Sequence, residues 1–72
     1  MPPRDPSEAF NRAFGEAVRE SRVALGLSQE DLGFEAEMDR TYVSGIERGV
    51  RNPTVRTIAR LARALQTRPS AL

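Results

Sequence analysis

From Glu8 to Leu25 the apolar residues Phe10, Phe14, Ala17, Val18 and Leu25 recur at three- and four-residue steps, which lays them along one face of a helix. Ser7 offers an N-cap for it, and Gly26 followed by Leu27 supplies the left-handed residue and apolar contact of a Schellman-type stop. Ser28, with Asp31 three positions later, resembles a capping box and predicts a short second helix ending near Ala36. Asp39 can cap a third helix over Arg40–Arg48, which Gly49 and Pro53 terminate. Thr54 caps a fourth, whose apolar positions Val55, Ile58, Leu61, Ala62 and Leu65 lie opposite Arg56, Arg60 and Arg63. Pro69 suits the first turn of a fifth helix, very short because only three residues follow it to Leu72. No strand-like alternation of useful length and no internal repeat is visible. The expectation is an all-α fold with a proline-rich arm at residues 1–6 and one domain at 7–72.

Composition narrows the chemistry. A chain of 72 residues forms one small domain. With no Cys and no His, zinc fingers, thiol nucleophiles, Ser-His-Asp arrangements and disulfide scaffolds are excluded, because each needs a sulfur or an imidazole. The remaining carboxylates form no motif that reads as catalytic, so the expectation is a protein that is not an enzyme and carries no metal or cofactor. No apolar run approaches the roughly 18 residues that suggest a membrane span. The first six residues lead into no signal-peptide core either. Together with the absence of disulfides, these features suit a cytoplasmic protein.

Charge changes the picture once it is divided along the chain. Residues 1–39 hold four Arg against nine acids, a balance of −5, whereas residues 40–72 hold seven Arg against Glu47 alone, a balance of +6. One face that meets a polyanion accounts for this; so does a set of solvated helices whose charges compensate each other. All the cations are Arg and none is Lys, which suits bidentate recognition of phosphate or guanine and equally fits a coding bias.

The pair of short helices at 28–36 and 40–48, joined by a three-residue turn, is either an ordinary helical hairpin or a unit that presents its second helix to a DNA major groove. On a wheel at about 100° per residue, Val43, Ile46 and Glu47 point one way, while Thr41, Ser44, Gly45 and Arg48 point roughly the other. That outer face is short-chained and hydrogen-bonding. Thr, Ser and Gly are mediocre helix formers, but they keep a helix face low enough to enter a groove. Arg40 sits at the leading end, where a recognition helix meets base edges.

Leu27-Ser28-Gln29-Glu30-Asp31-Leu32-Gly33, then Arg40-Thr41-Tyr42-Val43-Ser44-Gly45-Ile46-Glu47-Arg48-Gly49, then Asn52-Pro53-Thr54 resembles the lambda-repressor-like helix-turn-helix family over residues 13 to 72. The second run is especially similar to controller proteins of restriction-modification systems, small dimeric regulators that bind operators upstream of their own and the endonuclease genes. The resemblance implies a five-helix fold and a sequence-specific transcription regulator, a homodimer on a pseudo-palindromic double-stranded operator, read in the major groove by helix 40–48. It implies base readout by Arg40, Thr41 and Ser44, and sugar-phosphate contacts by Gln29, Tyr42, Arg48, Arg51 and Asn52. The inward-facing Glu47 would pair with Arg22 of the first helix, a structural ion pair. A phage-type repressor or the DNA-binding part of an antitoxin is the nearest alternative. A helical protein-interaction module that uses the basic helix 54–66 is the alternative from another class.

Four features depart from the family pattern. Glu37 stands where the turn commonly has glycine, and a left-handed conformation there costs a non-glycine residue on the order of 1 kcal/mol. Gln66 replaces a common helix-ending glycine, and the fifth helix has scarcely one turn. Phe34 occupies a position that is often polar, so it is expected to be partly exposed or to touch a partner.

Overall fold

The computed structural model describes residues 6–67, which form four helices: α1 (Pro6–Ala24), α2 (Gln29–Ala36), α3 (Arg40–Glu47) and α4 (Val55–Thr67). The all-helical expectation holds, with four helices rather than five. The expected fifth helix at Pro69 lies outside the described residues, as does most of the arm. Pro6 and Ser7 are already helical, so Ser7 does not cap α1. Gln66 lies inside α4, which continues to Thr67.

Three helix ends are built alike. After α1, Leu27 N–H donates to Arg22 O and Gly26 N–H to Val23 O, each at 3.0 Å; this is the Schellman pairing with Gly26 left-handed at φ 74°. After α3 the same pairing joins Val50 to Gly45 and Gly49 to Ile46, with Gly49 at φ 76°. After α2 it joins Met38 to Gly33 and Glu37 to Phe34, and there the left-handed residue is Glu37, at φ 59°. The starts follow the sequence as well. Ser28 and Asp31 complete a reciprocal capping box, Asp39 accepts from Thr41 N–H, and Thr54 Oγ1 accepts from Thr57 N–H at 3.0 Å.

The core gathers Val18 from α1, Leu32 and Ala36 from α2, Val43 and Ile46 from α3, and Leu61 and Ala64 from α4. Each fully buried Leu, Ile or Val contributes roughly 1.5–3 kcal/mol. α3 packs against both α1 and α2, and α2 also packs on α4. Phe14, Met38, Tyr42 and Leu65 close the edges. The stripe of α4 is rotated from its expected position: Ala64 is buried, whereas Val55 and Ala62 face solvent. On a wheel Val55 and Ala62 lie at one margin of the apolar arc, whose buried members are Leu61 and Ala64. Ala17 of α1 is exposed for the same reason.

Gly15 has a packing role. A Cβ there would overlap the backbone oxygen of Ile46 and lie 2.8 Å from that of Glu47, so only glycine lets α1 and α3 approach this closely. An isolated glycine inside a helical pattern is the signal that marks such a contact in a sequence.

Candidate nucleic-acid interface

The helix-turn-helix pair places α3 with one side in the core and the other outward. Val43, Ile46 and Glu47 are buried, Arg40, Thr41 and Arg48 are exposed, and Ser44 is half-buried. The Asp39 carboxylate accepts from both the backbone N–H and the hydroxyl of Thr41. These bonds, the hydroxyl's foremost, hold the Asp39 carboxyl below its ordinary range, helped by the charge of Arg40. Because the Thr41 hydroxyl proton is directed to Asp39, that side chain offers its surroundings only acceptor lone pairs and a methyl group.

Gly45 departs from the helical wheel. It points away from the core, yet it is buried. Its cover is Arg51, whose Cγ would lie 2.6 Å from a Cβ at position 45. The guanidinium of Arg51 then sits 5.6 Å from the centre of the Tyr42 ring, a cation–π contact. Arg51 is thus folded back along α3, and Tyr42 is half-buried beneath it.

Arg22 and Glu47 are in contact. Arg22 Nε donates to Glu47 Oε2 at 2.7 Å and its terminal nitrogens to Glu47 Oε1 at 3.1 Å and to Leu27 O at 2.8 Å. The hydrogen bonds to Glu47 raise the Arg22 pKa above its ordinary value, with desolvation opposing them. Gln29 joins this pair: its Nε2 donates to Glu47 Oε1 at 3.0 Å. The sequence resemblance gave Gln29 only a sugar-phosphate contact at the start of α2, and no local signal links it to Glu47, eighteen positions away. Its side-chain amide is committed to the core carboxylate, which leaves the second amide hydrogen and the backbone N–H at the helix start for an external anion.

Arg48 and Asn52 are exposed on the segment after α3. Asn52 is held by another contact that sequence reasoning missed, because its Oδ1 accepts from Asn11 Nδ2 of α1. Phe34 is 84% exposed, well beyond partial exposure, and with Leu27, Glu30, Asp31 and Glu35 it lines a shallow cavity on the outer side of α2. Among the described residues no three Asp or Glu side chains converge as metal ligands, and no helix is long and apolar enough to cross a membrane.

Residues 18–72 match the helix-turn-helix family, and the chain belongs to it. It is 43% identical over 60 residues to control protein C.BamHI of Bacillus amyloliquefaciens, an alignment covering 82% of this chain and 74% of that one. To control protein C.SmaI of Serratia marcescens it is 44% identical over 52 residues, covering 72% and 62% of the two chains. The fold is similar to the crystal structure of the restriction-modification controller protein C.AhdI from Aeromonas hydrophila, with a TM-score of 0.78, 50% identity, and coverage of 81% of this chain and 88% of that one. The resemblance to controller proteins seen in the sequence is therefore borne out.

Proposed function

We propose that the chain is a sequence-specific DNA-binding transcription regulator of a restriction-modification system, acting in the cytoplasm as a homodimer and not as an enzyme. The observation that carries the reading is the division of α3. A hydrophobic and ion-paired side anchors it, and Arg40, Thr41 and Ser44 stand on the opposite, low-relief side. Such a helix fits a major groove, and one short helix reads too few bases for specificity unless a second copy reads another half-site, about 34 Å away.

The assignments follow from donor and acceptor chemistry. Arg40 supplies a guanidinium fork for guanine, and Thr41, with its proton held by Asp39, supplies an acceptor and a methyl group for adenine, cytosine or thymine edges. Ser44 reads beside them. The donors of Gln29, Tyr42, Arg48, Arg51 and Asn52 meet the sugar-phosphate strand. Arg22 and Glu47 hold α1 to α3 and touch no DNA.

Selection of duplexes from a random-sequence library, followed by gel shift of the selected duplex at several salt concentrations, tests the reading. Recovery of a two-fold-related sequence, with affinity falling steeply as salt rises, is the expected result. Recovery of no preferred sequence defeats it. Sedimentation at micromolar concentration tests the dimer, and a monomer that binds one per site would defeat that part.

A further inference from the structure

Along α1, Asn11, Arg12 and Gly15 face the end of α3 and the segment that follows it. A Cβ at Gly15 would lie 2.8 Å from Glu47 O, and one at Gly49 would lie 3.0 Å from Arg12 Cγ and 3.1 Å from its Cα. The first helix therefore braces this stretch at Glu47, Gly49 and Asn52. Asn11 is half-buried in this contact, Asn52 is exposed, and the two are joined by the hydrogen bond from Asn11 Nδ2 to Asn52 Oδ1.

An asparagine amide has one acceptor oxygen and a nitrogen with two donor hydrogens, and rotation by half a turn exchanges them. A backbone phosphate only accepts. Asn52 can serve a phosphate only if its nitrogen faces out, and in the structure the bond donated by Asn11 Nδ2 holds the Asn52 oxygen on the protein side. We propose that Asn11 is a positioning residue for DNA binding: it sets the polarity of the Asn52 amide so that Asn52 presents donors alone to the sugar-phosphate strand. The proposal rests on the DNA-binding reading above and adds to it a residue of α1 that lies outside the helix-turn-helix pair.

The test is a double-variant cycle with the full chain, using a duplex selected by the wild-type protein and a scrambled duplex of equal length. Asn11→Leu keeps the shape and removes the donor; it should weaken binding to both duplexes about three- to tenfold, the worth of one hydrogen bond. Asn52→Ala should do the same, and the double variant should be no weaker than the weaker single. Asn11→Asp offers only acceptors, which draws the Asn52 nitrogen inward and turns its oxygen out, so it should bind less well than Asn11→Leu. That excess should shrink when Asn52 is Ala, leaving only the repulsion of an added charge.

Binding of Asn11→Leu equal to wild type overturns the proposal, as do losses that multiply in the double variant. A fall in the melting midpoint of Asn11→Leu that leaves it partly unfolded in the assay also overturns it, by making Asn11 a folding residue. Failure of the wild-type protein to bind any duplex would instead defeat the DNA-binding reading itself.

Discussion

The stem of Arg51 occupies the space that a side chain at Gly45 would fill, so the two residues form one surface although Gly45 belongs to α3 and Arg51 to the segment after it. Gly45→Ala would push Arg51 off α3 and away from Tyr42. The helix gains about 1 kcal/mol from the better helix former and loses a cation–π contact of about 0.5–1 kcal/mol, so the melting midpoint should barely move while DNA affinity falls several-fold. Gly15→Ala is the contrast. Its Cβ meets backbone rather than a movable side chain, and separating α1 from α3 should cost about 1–3 kcal/mol. Thermal melting of the two variants side by side checks this; equal loss in both would show that Arg51 is as fixed as the backbone.

Arg22→Ala should damage the fold, with DNA binding lost only as a consequence. The Glu47 side chain is 3% exposed, and stripping its guanidinium partner costs about 3–5 kcal/mol, comparable with the roughly 3–5 kcal/mol that a core of this size supplies. The hydrogen bond from Gln29 remains but carries no charge. Circular dichroism melting decides the point, because an unchanged midpoint with lost affinity would make Arg22 a DNA contact.

Glu37→Gly should stabilise the protein. Glu37 holds the left-handed position that Gly26 and Gly49 hold after α1 and α3, at a cost of about 1 kcal/mol for a residue with a Cβ. The rise should appear in the denaturation midpoint at unchanged m-value. No rise would mean that the gain in unfolded-chain entropy cancels the relief.

Arg40→Ala should leave melting intact and relax base preference. Losing a guanine contact costs about 1–3 kcal/mol at one base pair in each half-site, whereas losing a phosphate contact weakens all sequences alike and lowers the salt slope by about 1. Affinities for the selected duplex and its single-base variants distinguish the two. Uniform weakening would transfer base reading to Thr41, Ser44 and Tyr42.

Asp39 gives α3 an acid-sensitive start. Its folded-state pKa lies below the ordinary 3.8 because of its bonds to Thr41, so the unfolded chain takes up this proton first as pH falls. The stabilisation from this carboxylate is complete above the ordinary value and disappears as pH drops through the folded one. Melting of wild type and Asp39→Asn should therefore differ by a constant amount from pH 8 down to about 5 and converge in stronger acid. A difference that persists unchanged at pH 3 would separate the cap from the charge.

Local chemistry was enough to place most helix boundaries, the start of α1 at Ser7 excepted, since caps and left-handed stops act over a few adjacent residues; Ser28, Asp39, Thr54, Gly26 and Gly49 each do in the structure what their residue types favour. The outward set Arg40, Thr41 and Ser44 and the inward Glu47 were likewise readable, because a helical period fixes direction. Direction is not burial, however. Gly45 points outward and is covered by Arg51, while Val55 and Ala62 have helical spacing and remain exposed. Those outcomes depend on which neighbour arrives, and so do the bonds of Gln29 to Glu47 and of Asn11 to Asn52, across eighteen and forty-one positions. Adjacent residues alone set where the chain turns and which side of each helix is apolar. Which polar groups meet across helices was settled by packing, because those pairings arise from the angles at which α1, α2 and α3 meet, and no periodicity along one helix encodes the position of another.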